Sequence, residues 1–180
     1  STSLFTHQSK PLSRILRDLN HYSSNFIAEQ VLLILGGDTL SGFDRDVGLE
    51  QLSKYLHRLG VPEGEYSLHD ASGLSHSNRI TPMAIANAIA KMYGEEEYRV
   101  EFERSLAVDS RSGTLQKRRM EGVVRAKTGT IDGVSSLAGI VRNKYGRLLA
   151  FVLLQNSVRS RADAHRFEEK LVRYLYRSQS

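Results

Sequence analysis

Three groups of residues in this chain have types and spacings that could build a site, and the first of them suits a substrate ending in a carboxylate. The first is Lys127-Thr128-Gly129-Thr130. A strand ending in Lys then Thr sets an ammonium beside a hydroxyl at a cleft edge, and both suit an anionic end group. Gly129 lets a second backbone approach, so an extended peptide can lie along the strand edge. The same residues also suit a surface strand running into an ordinary turn. The second group is Ser23-Ser24-Asn25, in a polar break between two apolar-periodic segments. Those types fit helix capping by either serine, or a hydroxyl and an amide facing a reaction site. The third is Asp70-Ala71-Ser72-Gly73-Leu74-Ser75 followed by Asn78, a pattern that makes a tight turn held by Asp and Ser side chains.

The elements that must position these groups follow from apolar periodicity. Pro11 suits the first turn of a helix carrying Leu12, Ile15, Leu16 and Leu19. After the break at 21–24 a second helix runs from Asn25 to about Leu35, closed by Gly36-Gly37. A third spans about Asp46 to Leu59, and residues 61–80 are turn-rich with a short strand at 66–69. Thr81-Pro82 reads as an N-cap with proline behind it, starting a helix to Tyr93, and another helix covers about Glu95 to Leu106. The pattern then changes to strands at Val123–Thr128, Ser136–Arg142 and Leu148–Leu154, with a turn at Asn143–Gly146 between the last two. Those two are expected to be central, and the last to be buried on both faces. A helix holding Phe167, Leu171, Val172 and Leu175 closes the chain. The fold class expected is α+β, an antiparallel sheet flanked by helices in one domain over residues 1–180.

Composition narrows the function classes. The chain has 180 residues, 40% apolar and 25% charged, with net charge +5. The cations are scattered, and the densest group, Lys117-Arg118-Arg119, has no interleaved aromatics, so nucleic-acid binding is not expected. An anionic wall polymer remains compatible with the charge. There are no cysteines, and the six histidines show no ligand spacing, so neither thiolate chemistry nor a metal is expected, and no cofactor is called for. No secretory leader is visible and the chain lacks an initiator Met, which suits a processed protein or a piece of a larger one.

The three groups taken together resemble a known family. Ser-x-Asn followed by Lys-Thr-Gly is the order used by serine acyltransferases that place Ser-x-x-Lys first. The segments YSSNFIAEQ, DASGLSHSN and GVVRAKTGTIDGVSSLAGIV resemble the penicillin-binding D-alanyl-D-alanine carboxypeptidase/endopeptidases. The branch they are most similar to is the low-molecular-mass class C, which carries large domains inserted between its first and second motifs. The resemblance runs from about Pro11 to the final helix and implies the C-terminal part of a β-lactamase/transpeptidase-like catalytic domain.

By that resemblance Ser23 relays a proton between nucleophile and leaving group, while Asn25 holds the substrate backbone and orients the lysine of the first motif. Lys127 supplies positive charge that favours the relay and attracts the terminal carboxylate, Thr128 and Thr130 hold that carboxylate or the adjacent backbone, and Gly129 keeps the strand edge clear. The Thr130 N–H is one oxyanion donor. Leu74 lines the pocket for penultimate side chains, and His76 and Asp132 are expected to tune the fit to a diamino-acid stem peptide. The implied partners are D-Ala-D-Ala stem peptides of peptidoglycan and β-lactams, and the implied location is periplasmic or otherwise extracytoplasmic. One element is absent from the chain. No lysine has a serine three residues before it; Thr114 before Lys117 comes nearest, and Ser23 and Ser24 are followed at that spacing by Phe26 and Ile27. The nucleophile is therefore expected on an N-terminal portion of the same protein. A catalytically inactive homologue that binds stem peptides, and an unrelated α+β domain, are the other readings.

Overall fold

The helices that open the chain form as their apolar spacing predicts. The computed structural model describes residues 5–38, 40 and 42–179. Helix α1 (Leu12–Tyr22) follows Pro11, and α2 (Asn25–Leu35) follows the break. A two-stranded ribbon, β1 (Gly37–Asp38) with β2 (Gly42–Phe43), leads into α3 (Arg45–Arg58), whose N-cap Asp44 accepts from the Asp46 and Val47 amides. α3 packs on α2 at Gly48, where a Cβ would stand 2.2 Å from the Leu32 carbonyl oxygen, so only glycine permits that approach. The expected short strand is present as β3 (Tyr66–Ser67), paired with β4 (Arg79–Ile80); between them runs the 68–78 loop. Thr81 caps α4 (Pro82–Gly94) by accepting from the Ala84 amide, and α5 (Glu96–Ser105) follows.

The sheet has the order β5 (Ala107–Val108), β6 (Val123–Ile131), β7 (Val134–Arg142), β8 (Leu148–Asn156), all antiparallel. Val124, Ala126, Leu137, Val141, Phe151 and Leu153 point to one face and are closed by Val172 of α6 (Arg161–Arg177) and by Leu115 from the 3-10 turn Gly113–Leu115. Two strand expectations need correction. β7 is interior as expected, but its partner β6 shares that place, while β8 stands at the edge. β8 is also buried on one face only: Phe151 and Leu153 are 5% and 7% exposed, while Ala150 is open and Val152 and Leu154 are half-buried. An apolar run reads alike for a central strand and for an edge strand whose second face is only partly covered by α4.

Charge is buried where α6 meets the sheet. Arg118 Nη2 donates to Glu168 Oε2 at 2.9 Å and Arg118 Nε to Glu169 Oε1 at 2.8 Å. The other Glu168 oxygen accepts from Ser135 Oγ at 2.7 Å and Gln155 Nε2 at 2.9 Å. Glu168 is 1% exposed, and three donors from three segments meet its charge, which is what a buried carboxylate requires. The network ties the tip of the β6–β7 hairpin, through Ser135, to α6.

Candidate active site

The break between α1 and α2 divides two duties between adjacent serines. Ser24 is the N-cap of α2, its hydroxyl accepting from the Ile27 amide at 3.3 Å. Ser23 is in the left-handed conformation, φ 54° and ψ 49°, as the residue that ends α1. That turn aims its hydroxyl at the sheet rather than back along the helix. The capping foreseen for this triplet is thus made by Ser24, and the Ser23 hydroxyl is left to face Lys127.

Strand alternation then fixes what each residue of β6 can reach. Val124 and Ala126 face the α6 core, so Lys127 faces the opposite side, toward α1. Its Nζ donates to Ser23 Oγ and to the Thr128 carbonyl, each at 2.7 Å. Desolvation by burial holds the ammonium below the ordinary lysine pKa. The next side chain, Thr128, turns to the other face and donates its hydroxyl to Thr114 Oγ1 at 2.8 Å. Gly129 follows, where a Cβ would stand 2.4 Å from Ser136 Oγ. β5 pairs with β6 only at Arg125 and Ala126, so on that side no strand among the described residues lies beside Lys127 to Ile131.

That open edge forms one wall of a cleft of about 440 Å³. Lys127, Thr128, Gly129 and Thr130 line the wall, Ser23 and Asn25 the floor from the α1–α2 side, and Ser72, Gly73 and Leu74 the facing rim. The rim is a braced loop. Asp70 accepts from the Gly73 and Ser75 amides, each at 2.6 Å, and from Asn78 Nδ2 at 2.9 Å, while Asn78 Oδ1 accepts from the His69 amide at 2.7 Å. Glu29, one turn along α2 from Asn25, accepts from the Ala71 and Ser72 amides at 2.9 and 2.8 Å. Burial raises the Glu29 carboxyl, but these two amides, the Ser72 side chain and Arg45 outweigh it and leave the pKa lowered. Arg45 also donates to the His69 carbonyl.

The structure thus gathers Ser23, Asn25, Lys127, Thr128, Gly129, Thr130 and Leu74 around one cleft. His76 lines a neighbouring cavity with Arg79 and Ile131. Asp132 sits exposed in the two-residue turn of the β6–β7 hairpin, outside the cleft lining. Sequence reading missed Glu29 and Thr114 as site residues. The i, i+4 relation of Asn25 and Glu29 on one helix face was the available signal for the first. A second, mostly apolar cavity of about 380 Å³ lies behind Lys127, between α4, α5 and the sheet, lined by Ile85, Ile89, Phe102, Leu106 and Leu154.

Comparison with known proteins adds the following. The family model described as the D-Ala-D-Ala carboxypeptidase 3 (S13) family matches residues 1–178. A D-alanyl-D-alanine carboxypeptidase from an Actinomadura species is 35% identical over 162 residues, covering 85% of this chain and 30% of that protein. Penicillin binding protein 4 (dacB) of Haemophilus influenzae superposes with TM-score 0.84 at 26% identity, covering 96% of this chain and 41% of that one. The same protein complexed with a novel β-lactam gives 0.81 at 27%, covering 96% and 43%. The TLA-1 extended-spectrum β-lactamase, 19% identical with TM-score 0.65 over 92% of this chain and 61% of its own, shares the fold. This chain spans 30% of the length of the Actinomadura relative.

Proposed function

The chain belongs to the D-Ala-D-Ala carboxypeptidase 3 (S13) family, and from that premise we propose that it forms part of a serine-type D-Ala-D-Ala carboxypeptidase/endopeptidase acting on peptidoglycan stem peptides outside the cytoplasmic membrane. It supplies the Ser-x-Asn and Lys-Thr-Gly motifs, and a nucleophilic serine in a Ser-x-x-Lys motif comes from an N-terminal portion of the same protein. The observation that carries this reading is the 2.7 Å contact of Lys127 Nζ with Ser23 Oγ beside an unpaired strand edge.

The substrate lies antiparallel or parallel along Lys127–Ile131, its backbone completing the sheet. The nucleophile's oxygen bonds to the carbonyl carbon of the penultimate D-Ala, and the Thr130 N–H is one of two donors to the oxyanion, a donor typically contributing about 3 kcal/mol. The C–N bond then breaks, and the departing amine takes a proton through Ser23. Because Ser23 Oγ accepts from the Lys127 ammonium, its own O–H is directed elsewhere, into the cleft, where it can donate to that amine. The proton that Ser23 gives up is replaced by the one the nucleophile loses as it attacks, carried by the lysine of its Ser-x-x-Lys motif, while the Lys127 ammonium holds Ser23 Oγ in place for that relay. Water then hydrolyses the acyl-enzyme. The apolar cavity behind Lys127 supports this reading, since a helix bearing the nucleophile would fill it and bring that serine alongside. A penicillin acylates the same serine and leaves slowly, in keeping with the β-lactam bound to the Haemophilus relative.

The test is labelling of the full-length protein with a fluorescent penicillin, followed by proteolysis and mass spectrometry. Label on a serine outside residues 1–180 is expected, together with release of D-alanine from a D-Ala-D-Ala peptide. Label on a serine within this chain would overturn the assignment of the nucleophile. Binding of the peptide with neither label nor hydrolysis would establish instead an inactive stem-peptide binder.

A further inference from the structure

We propose that Thr114 is a further substrate-binding residue of this cleft, acting with Thr128 as a two-hydroxyl relay for the terminal carboxylate; the inference rests on the acyl-transfer reading above. Lys127 is poorly aimed for that duty. Two of its three N–H groups go to Ser23 Oγ and the Thr128 carbonyl, so its charge is directed along the Ser-x-Asn side of β6. Thr128 and Thr114 lie on the other face of the strand and both line the cleft.

Thr114 is held there by a turn with little freedom. Gly113 has φ 57°, and a Cβ on it would stand 2.5 Å from the His21 carbonyl oxygen, so the turn is pressed against α1 just ahead of Ser23. Leu115 is fully buried in the main core. Ser112 Oγ accepts from the Val108 amide at 3.0 Å, and the Leu115 carbonyl from the Ser110 amide at 3.1 Å. Between these anchors the Thr114 side chain stays exposed.

The Thr128 hydroxyl donates to Thr114 Oγ1 at 2.8 Å. A carboxylate only accepts, so Thr128 must turn its proton to the anion to bind it. Its oxygen is then best satisfied if Thr114 reverses and donates to Thr128. A chain of hydroxyls ending on an anion polarises along its length, so the second hydroxyl strengthens the first. Exposed hydroxyls rotate freely, and the reversal needs no backbone movement.

The experiment uses the full-length protein and two matched peptides, one ending in D-Ala-D-Ala carboxylate and one in D-Ala-D-alaninamide, with benzylpenicillin and its carboxamide as a second pair. Thr114→Val keeps shape and removes the hydroxyl; Thr114→Ser keeps the hydroxyl. For Thr114→Val the expected result is a loss of about tenfold in kcat/KM and in acylation rate on the carboxylate partners, in line with a hydrogen bond serving a charged group. The loss on the amides should be much smaller, and Thr114→Ser should be near wild type on all four. No loss, or equal losses on carboxylate and amide, overturns the inference, as does failure of Thr114→Ser to fold or to restore activity. Wild-type protein inert to all four compounds would overturn the acyl-transfer reading itself, an outcome distinct from an unaffected Thr114→Val.

Discussion

At Lys127 burial works against the charge the proposed reaction needs. Its ammonium is half-buried with neutral partners, Ser23 Oγ and the Thr128 carbonyl, and desolvation lowers its pKa below 10.5. A depressed folded pKa means the fold binds that proton less well than the unfolded chain does. Stability therefore falls as pH drops from the ordinary lysine value through the folded one, and the penalty is complete below it. Replacing Lys127 by Met removes the penalty. In thermal melts of the full-length protein from pH 6 to 11, Lys127→Met should melt no lower than wild type, with its advantage vanishing above about pH 10.5. Its penicillin acylation should drop about 100-fold or more. A lower melting temperature at pH 6 would mean that the lysine is net stabilising. The lysine and Ser23 were legible from residue type and order. The split between Ser23 and Ser24 was not, because the triplet does not encode which serine adopts the left-handed turn. Thr114 was invisible for another reason: only the pleat of β6 brings it to Thr128, fourteen residues on.

Two elements, α2 and α6, hold the cleft from opposite sides. α2 carries Asn25 at its start and Glu29 one turn later, so a single helix sets both the floor and the rim. The lowered Glu29 pKa stabilises the fold above the ordinary carboxyl value of 4.5 and ceases to do so as pH falls through the folded value below it. Glu29→Gln should cost about 1–2 kcal/mol at neutral pH, remove the share of the acid-side loss that Glu29 contributes as pH falls below 4.5, and raise KM more than it lowers kcat, because Leu74 shifts with the rim. Denaturant titration at several pH values and steady-state kinetics check both halves. On the other side, Glu168→Ala leaves Arg118 with Glu169 as its one remaining carboxylate and takes the shared acceptor from Ser135 and Gln155, and should cost about 3 kcal/mol. Urea titration measures it, and a cost under about 1 kcal/mol would show that Arg118 finds water instead. Helices and strands were read from periodicity within a few residues, including the Asn143–Gly146 turn, where Asn143 Oδ1 accepts from the Tyr145 and Arg147 amides. The edge position of β8 was not, since burial of a strand's second face depends on neighbours distant in sequence.

For the whole molecule, the cleft and the apolar cavity share the Lys127–Gly129 wall, one open to solvent on its polar side and the other lined by Ile85, Phe102 and Leu154. A helix seated in that cavity would bury those side chains at about 25 cal/mol per Å² of apolar surface removed from water. Residues 1–180 should accordingly unfold at lower urea concentration alone than within the full-length protein, followed by pulse proteolysis of both. Equal midpoints would mean that the cavity wall needs no cover.

The edge strand has a consequence for isotope exchange. Among the described residues β7 is bonded to a strand on each side, whereas β8 is bonded only to β7, so every second β8 amide between Leu148 and Asn156 points away from the ladder. In deuterated buffer those alternate amides should exchange orders of magnitude faster than their neighbours on the same strand, while β7 holds the slowest amides of the sheet. If a strand from elsewhere in the full-length protein docks on this edge, the fast set slows and the alternation disappears. Nine consecutive amides thereby become a built-in reporter of whether the sheet has been completed.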